Sequence, residues 1–369
     1  MRRVSIVVAL AALLAGGCGG PKLMVGVVLP TSGVHKGYGA SLMAGIKVAL
    51  DDAVAKQSPP GIEAQYRDSL SNPEYAAKEA NELFKAGALI IIGGATTAEA
   101  MSMIPEAEAA KRVIISPSAS KPGLAESSNL FFRTVPSDDF EAAAAADFLV
   151  GTRKAKTVLV LFQQGLYSEG LLPVFTAEVG KLGAKLMEKL PIGPTDWDKG
   201  ITDFLAANKP DAIFICAYGE ETLATLGVVR AAKYEGSICA TSAFVTGDVV
   251  KRAGAAAEGL YVPFVRLDLD SQQEPMKSFV KRFRAANNGA SPDLYAAYGY
   301  DAALTALYAL QGPPPKDASE LLVRLMSLGD KQGVTGKLAF DKSGNIAHRP
   351  RMHVIKGGKL EDCDPSPAS

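Results

Sequence analysis

The 369-residue chain contains 39 lysine and arginine residues against 39 aspartate and glutamate residues, so its formal charge at pH 7 is zero. Without a basic excess, nucleic acid is not an expected partner. The three histidines, His35, His348 and His353, have no metal-ligand spacing, and we expect neither a bound metal nor a cofactor. The length suits two lobes better than a single hydrophobic core.

The first residues are typical of a bacterial secretory signal. Arg2 and Arg3 precede an apolar run at 4–14, and small residues follow at 15–17. We therefore predict that residues 1–17 are a signal peptide and that the mature chain is exported and water-soluble. The apolar run is too short for a good membrane span, and no other stretch approaches ~20 apolar residues.

Cys18 directly follows the small residues, and the stretch 13–18 resembles the lipobox of bacterial lipoproteins. The resemblance implies that Cys18 is lipidated and that 18–21 is a short tether to the bacterial membrane. Ala15 stands where that motif most often has leucine. The alternative is an ordinary signal that is cut near an incidental cysteine.

Short apolar runs alternate with longer amphipathic segments along the chain. The runs suit strands that are covered on both faces and lie at 24–29, 89–92, 113–115, 158–162, 212–216, 238–241 and 260–262. Asn72-Pro73-Glu74 predicts a helix start. Further helices are predicted at 97–110, 139–150, 169–182, 198–208, 220–233, 274–287, 294–310 and 318–327. This alternation predicts an α/β fold with parallel sheets flanked by helices, and two late strands are predicted at 336–340 and 352–356.

Three cysteines lie beyond the signal. Cys216 and Cys239 fall in strand-like runs, where buried free thiols are the expected state. A disulfide between them is possible in an exported protein, but spacing does not establish it. Cys363 is the third cysteine.

The motifs of common enzyme families do not occur in the sequence: there is no nucleophile elbow, no zinc-protease helix and no phosphate-binding P-loop. Gly37-Tyr38-Gly39 begins a dinucleotide-like pattern, but Leu42 stands where its third glycine should be. We interpret it as a binding loop or a helix start. Carboxylate pairs such as Asp138-Asp139 are interpreted as solvated helix or cap positions. The chain is not predicted to be an enzyme.

Hydroxyl-rich turns follow two successive predicted strands. Thr96 and Thr97 come after the run 89–92, and Ser118 and Ser120 come after 113–115. Ligands of parallel α/β sheets bind beyond the carboxyl ends of the strands, and a helix N-terminus with nearby hydroxyls suits a carboxylate. Plain helix capping is the alternative role. Two such turns on consecutive strands favour a binding site.

An ordered series of motifs spans 22–360. Its members are 27–33 with Tyr38-Gly39, Asp68 with Asn72-Pro73, the spacing from Gly93 to Pro117, 167–170 with Ser168 as a departure, Asp196-Trp197, Pro210-Asp211 and 257–259. The series resembles the periplasmic branched-chain amino-acid (Leu/Ile/Val)-binding proteins, which are solute receptors of ABC transporters with the type I periplasmic-binding fold.

The resemblance implies two Rossmann-like lobes. The N-terminal lobe would comprise 22–137 and 267–345, and the C-terminal lobe 138–266 and 346–369. Three hinge crossovers, near 137, 267 and 345, would join them and let them close over a solute.

The resemblance also implies a set of ligand-binding residues. Thr97 and Ser120 stand where the family uses hydroxyls on the ligand's carboxylate or amine, and Ser118 where a backbone carbonyl accepts from the amine. Ala95, Thr96 and Ala119 would belong to the same wall of the ligand pocket. Tyr38, Tyr167 and Tyr218 would cover the ligand.

One departure concerns the amine. The family places an acid after the strand 238–241 to pair with the ammonium, but the position falls on Ser242 or Ala243 here. Glu220 or Glu221 could substitute, although both could equally start the next helix, where acids are favoured. The ligand is then either an amino acid bound in another way or an acid without an amine.

We therefore expect a lipid-anchored extracytoplasmic solute-binding protein of an ABC importer. It would bind a small carboxylate-bearing ligand, foremost an amino acid of branched-chain or other apolar type, and dock as a monomer on permease subunits. A ligand sensor of the same fold that docks on a signalling receptor is one alternative. An enzyme on a similar scaffold is another, but no nucleophile–base pair can be placed.

Overall fold

Two separate β-sheets organise the chain. The computed structural model describes residues 22–193, 195–246 and 249–363. The predicted signal peptide (1–17) and Cys18 lie outside the described residues. In the described part, no helix is long and apolar enough to cross a membrane.

The first sheet is fully parallel and has the order β2-β1-β3-β4-β5. Its strands are β1 (Leu23–Leu29), β2 (Ile62–Asp68), β3 (Ile90–Gly93), β4 (Val113–Ser116) and β5 (Phe131–Arg133). The helices between them are α1 (Lys36–Lys56), α2 (Pro73–Lys85) and α3 (Thr97–Ala110). Because β1, β3 and β4 are completely buried, they read as continuous apolar runs in the sequence.

The second sheet has seven strands in the order β12-β11-β10-β9-β8-β6-β7. They are β6 (Thr157–Gln163), β7 (Lys185–Ile192), β8 (Ala212–Cys216), β9 (Ser237–Ala240), β10 (Tyr261–Phe264), β11 (Arg351–Lys356) and β12 (Lys359–Asp362). Strand β11 pairs antiparallel with both β10 and β12, and the other strand pairs of this sheet are parallel. The accompanying helices are α4 (Asp138–Ala146), α5 (Leu166–Lys181), α6 (Trp197–Ala207), α7 (Gly219–Ala231) and α8 (Val249–Ala253).

Three helices that lie between β10 and β11 in the chain pack back on the first sheet. They are α9 (Met276–Ala286), α10 (Leu294–Ala309) and α11 (Ala318–Met326). Helix α10 contacts α1, β3 and β4. We call the first sheet with α1–α3 and α9–α11 the first lobe, and the second sheet with α4–α8 the second lobe. The chain passes between them after β5, after β10 and before β11.

Most predicted elements occur where the sequence placed them. Helix α3 spans the predicted range 97–110, and all seven apolar runs fall on strands. The buried free thiols predicted for Cys216 and Cys239 are confirmed. Strand β7 was not predicted, because it is a half-exposed edge strand of mixed composition and shows no continuous apolar run.

The predicted strand at 336–340 is wrong. That segment makes only two isolated bridges, Gln332 with Lys337 and Phe340 with Ile346, among the described residues. Strand β11 pairs with β10 on one side and with β12 on the other. Strand β12 forms a hairpin with β11 and was not predicted from the sequence.

Candidate functional site

The turn after β3 leads directly into α3. Thr96 caps the helix: its hydroxyl accepts from the Glu99 N–H at 3.2 Å, and the Glu99 carboxylate accepts from the Thr96 N–H at 3.3 Å. This reciprocal capping box leaves Thr97, the first helical residue, outside the cap. Its Oγ1 is buried and has no hydrogen-bond partner in the part of the chain that the structure describes. Thr97 therefore offers a free hydroxyl at the positive end of a helix.

The turn after β4 is tied to the turn after β3. The Ser116 hydroxyl donates to the Gly94 carbonyl at 2.9 Å, and the Ser118 hydroxyl donates to the Ala95 carbonyl at 2.7 Å. Ala95 and Ala119 are buried within these turns. The two turns form one rigid wall.

Aromatic side chains from both lobes face this wall. Tyr218, just before α7, stacks on Tyr167 of α5 with ring centroids 5.0 Å apart. Across the gap, Tyr218 contacts His35 at 4.9 Å and Tyr38 at 6.2 Å, and Tyr38 contacts Tyr295 of α10 at 4.6 Å. The cluster joins the first lobe to the second.

A small cavity lies between the wall and the aromatic cluster. Its lining residues come from both lobes and are Tyr38, Thr97, Ser118, Ser120, Val135, Tyr167, Tyr218, Ser242, Ala243 and Tyr295. The cavity volume is about 10 Å³, roughly the space for one water. A larger solute can enter only if the lobes or the tyrosine side chains move apart.

Seven predicted site residues meet in this cavity, namely Tyr38, Thr97, Ser118, Ser120, Tyr167, Tyr218 and Ser242. Thr96, Ala95 and Ala119 belong to the turns of the wall but do not line the cavity. Tyr295 was missed, because its helix is mostly apolar and buried and its sequence does not distinguish pocket tyrosines from core tyrosines.

The two candidate ammonium acids of α7 lie elsewhere. Glu220 is exposed and forms an ion pair with Arg252, with 3.1 Å between Glu220 Oε2 and Arg252 Nη1. Glu221 lines a neighbouring small pocket beside His35 and does not line the cavity of Thr97.

Two buried carboxylates lie close to the cavity instead, both on α4. Asp138 is 1% exposed and Glu141 is 7% exposed, so the interpretation of Asp138 as a solvated acid is wrong. Glu141 accepts from the Ser242 N–H at 2.8 Å and from the Ser242 hydroxyl at 2.6 Å. These hydrogen bonds to Ser242, which is 101 positions away in the chain, hold Glu141 in the protein interior.

Burial changes the protonation of both acids. It raises the pKa of Glu141 to about 7, against the opposing effect of the two Ser242 hydrogen bonds. Burial, followed by repulsion from Glu141, raises the pKa of Asp138 well above its ordinary value, although Ser120 and Arg133 act in the other direction. Arg133 is itself 1% exposed and donates to Asn345 and to the Lys121 carbonyl.

A pocket closed by side chains from two α/β lobes is the arrangement of a protein that holds a small solute between its lobes. The chain belongs to the periplasmic binding protein family, whose sequence profile matches residues 22–358. Members of this family bind solutes outside the cytoplasm and do not transform them, so the protein is an extracytoplasmic binding protein and not an enzyme.

Individual relatives agree with this assignment. The amino acid binding protein of Pseudomonas aeruginosa is 26% identical over 335 residues, which cover 88% of this chain and 87% of that protein. The branched-chain amino acid transporter substrate binding protein of Streptococcus pneumoniae, solved with isoleucine, has a TM-score of 0.84 at 23% identity and covers 92% of this chain and 98% of its own. A solute binding protein of an ABC transporter from R. palustris, solved with benzoate, has a TM-score of 0.82 at 20% identity. The match covers 93% of this chain and 96% of that protein's chain. The two structures show that the fold is shared.

Proposed function

We propose that the protein is the solute-binding component of an ABC importer and captures a small carboxylate-bearing solute, an amino acid of branched-chain or other apolar type, between its lobes. The observation that carries the proposal is the unpartnered, buried hydroxyl of Thr97 at the start of α3. It faces a cavity that tyrosines of both lobes enclose.

The wall has the chemistry that a carboxylate requires. The first N–H groups of α3 and the Thr97 hydroxyl are donors at the positive end of the helix dipole, and Ser120 lies beside them. The tyrosine rings provide apolar surface with a polar tip. Closure of the lobes would remove the solute from water and strengthen each of its hydrogen bonds.

The proposed hinge follows from the path of the chain. We assign 22–137 and 267–345 to the N-terminal lobe and 138–266 and 346–369 to the C-terminal lobe, which move about the crossovers near 137, 267 and 345. Support comes from the strand membership of the two sheets and from the packing of α10 on α1. The second-lobe tyrosines give the solute a differential affinity for the closed form, which closure requires.

We further propose that Cys18 carries a lipid anchor and that the monomeric body delivers its solute to permease subunits. The lipobox-like stretch at 13–18 supports the anchor. The relatives that are named as ABC transporter components support the permease over a signalling receptor.

An amine-free aromatic acid is the second candidate solute. Ser242 stands where the family resemblance places an acid, and the R. palustris relative is complexed with benzoate. In that case no ammonium would have to be neutralised in the pocket.

Thermal unfolding of the mature protein tests the proposal. The protein would be unfolded and refolded to remove carried-over solute, then scanned with leucine, isoleucine, valine and phenylalanine and with the matching amine-free acids and benzoate. A solute that binds only the folded state adds about 2.7 kcal/mol at a hundredfold excess over its Kd, so we expect a clear rise in Tm with at least one amino acid. No rise with any compound would refute the proposed solute class.

A further inference from the structure

Two buried carboxylates and one buried cation lie around the cavity. Asp138 and Glu141 are two buried carboxylates next to each other, and Arg133 is the buried cation that lies near Asp138. Glu141 has hydrogen bonds from Ser242, and no salt bridge to it occurs within 22–193, 195–246 and 249–363. With both acids ionised, the closed site carries one uncompensated negative charge, and buried charges are costly unless they are paired.

Glu141 lies within electrostatic reach of the solute. Its charge, in addition to burial, raises the pKa of Tyr38, Tyr167 and Tyr295, which all line the cavity. Ser242, which holds it, also lines the cavity. Its two hydrogen bonds occupy two of about four acceptor positions of a carboxylate, so Glu141 retains acceptor capacity.

Asp138 adds a second acceptor. Its Oδ2 is buried and has no hydrogen-bond partner among the described residues. Thr97 Oγ1, which lines the same cavity, is an unpartnered hydroxyl. The site thus offers a hydroxyl donor for an anion and carboxylate acceptors for an amine.

We infer that the solute carries a protonated amine together with its carboxylate, and that Glu141, supported by Asp138, is the residue that selects for that amine. The inference rests on the proposed function, because it takes the cavity between the lobes as the solute site. It assigns to α4 the role that sequence reasoning sought in Glu220 and Glu221.

Amine binding should release protons. Several titratable groups interact electrostatically with Glu141. They are Asp138, Tyr38, Tyr167, Tyr295, Tyr298, Cys216 and Cys239. Burial raises the pKa of each tyrosine and thiol, so these stay neutral at pH 7. Burial and repulsion from Glu141 also raise the pKa of Asp138, while Ser120 and Arg133 oppose this. Glu141, with a pKa of about 7, would be about half protonated before an ammonium ionises it.

The experiment is isothermal titration calorimetry of the refolded mature protein with leucine, isoleucine, valine and phenylalanine, and with the amine-free acids of the same side chains and benzoate. Wild type, Glu141→Gln, Glu221→Gln and Glu82→Gln would be compared. Glu82 is an exposed α2 residue paired with Lys85 and serves as the charge-matched control. We expect Glu141→Gln to weaken the amino acid roughly 30-fold or more and Glu82→Gln to leave it unchanged.

Wild type alone provides a second readout. Titrations at pH 7 in buffers of different ionisation enthalpy should show proton release on binding of the amino acid, and less should be released in Glu141→Gln. This measurement keeps the inference testable if Glu141→Gln does not fold.

The outcomes separate the inference from the proposed function. Binding of only the amine-free acids, or loss of the amine preference in Glu221→Gln but not in Glu141→Gln, would overturn the inference and leave a solute-binding pocket. Amino-acid binding without proton release in wild type would also overturn it. Binding of no compound from either set would refute the proposed solute class, and the inference with it.

Discussion

Thr96 and Thr97 are adjacent threonines with different roles. Thr96 is satisfied by the capping box with Glu99, whereas Thr97 Oγ1 has no partner among the described residues. A buried hydroxyl without a partner costs about 1–3 kcal/mol. A solute oxygen bound to Thr97 removes that cost, and this makes Thr97 the most specific marker of the site.

Removing the two hydroxyls should remove binding without unfolding the protein. For Thr97→Ala combined with Ser120→Ala we expect at least a 30-fold loss of affinity, since hydrogen bonds to a charged group contribute about 1.5–3 kcal/mol each. Calorimetric titration measures the loss, and circular dichroism checks the fold.

The matched control for this pair is Thr305→Ala. Thr305 in α10 is also buried and without a hydrogen-bond partner among the described residues, but it does not line the cavity. It should keep full affinity. Unchanged affinity in the double variant would place the site elsewhere.

At the scale of elements, α1 and α10 approach each other through glycine. A Cβ on Gly45 would lie 1.7 Å from the Ala296 carbonyl oxygen, and a Cβ on Gly299 would lie 2.2 Å from the Leu42 carbonyl oxygen. The two helices therefore touch backbone to backbone. This contact positions Tyr38 of α1 against Tyr295 of α10.

Gly45→Ala should push the two helices apart. Overpacking of a tight contact typically costs 1–3 kcal/mol or more, so we expect a loss of stability of at least about that size, measured by urea unfolding. Gly37→Ala in the same helix, where an added Cβ meets nothing within 4 Å, should be neutral or slightly stabilising. Equal effects of the two changes would contradict a backbone contact at Gly45.

At the scale of the whole molecule, the buried acids couple stability to pH. Glu141 has an ordinary pKa of 4.5 that burial raises to about 7 in the folded protein. Between these values the folded state binds more protons than the unfolded state. The stability that Glu141 contributes is thus fully present below pH 4.5 and is lost as the pH rises through about 7.

The expected result is a pH-dependent difference between wild type and Glu141→Gln. The unfolding free energy of wild type, relative to the variant, should fall by roughly 1 kcal/mol per pH unit between pH 5 and 7. Urea unfolding of the solute-free proteins at several pH values measures it. Histidine titration affects both proteins alike and cancels, so parallel curves would contradict the raised pKa.

Much of the fold was predictable because its signals are local. The buried strands β1, β3, β4 and β8 read as apolar runs, and Asn72 accepts from two N–H groups at the start of α2 as its position predicts. The hydroxyl turns were predictable for the same reason, since the loop that follows a parallel strand belongs to the binding edge. The family resemblance then predicted the cavity tyrosines Tyr38, Tyr167 and Tyr218.

Other features needed the tertiary structure. Asp138 and Glu141 have the sequence pattern of an ordinary acidic helix start, and only the packing of α4 near β10, with Glu141 bonded to Ser242, buries them. The small cavity depends likewise on Tyr38 and Tyr218, which are 180 positions apart in the chain but meet edge to face across the gap. The sequence by itself therefore determined the elements and the hydroxyl-bearing turns after β3 and β4, because caps and periodicity involve near neighbours, and the family resemblance supplied the two-lobe class. The protonation and placement of the acids were decided by tertiary packing, because burial depends on which distant segments meet.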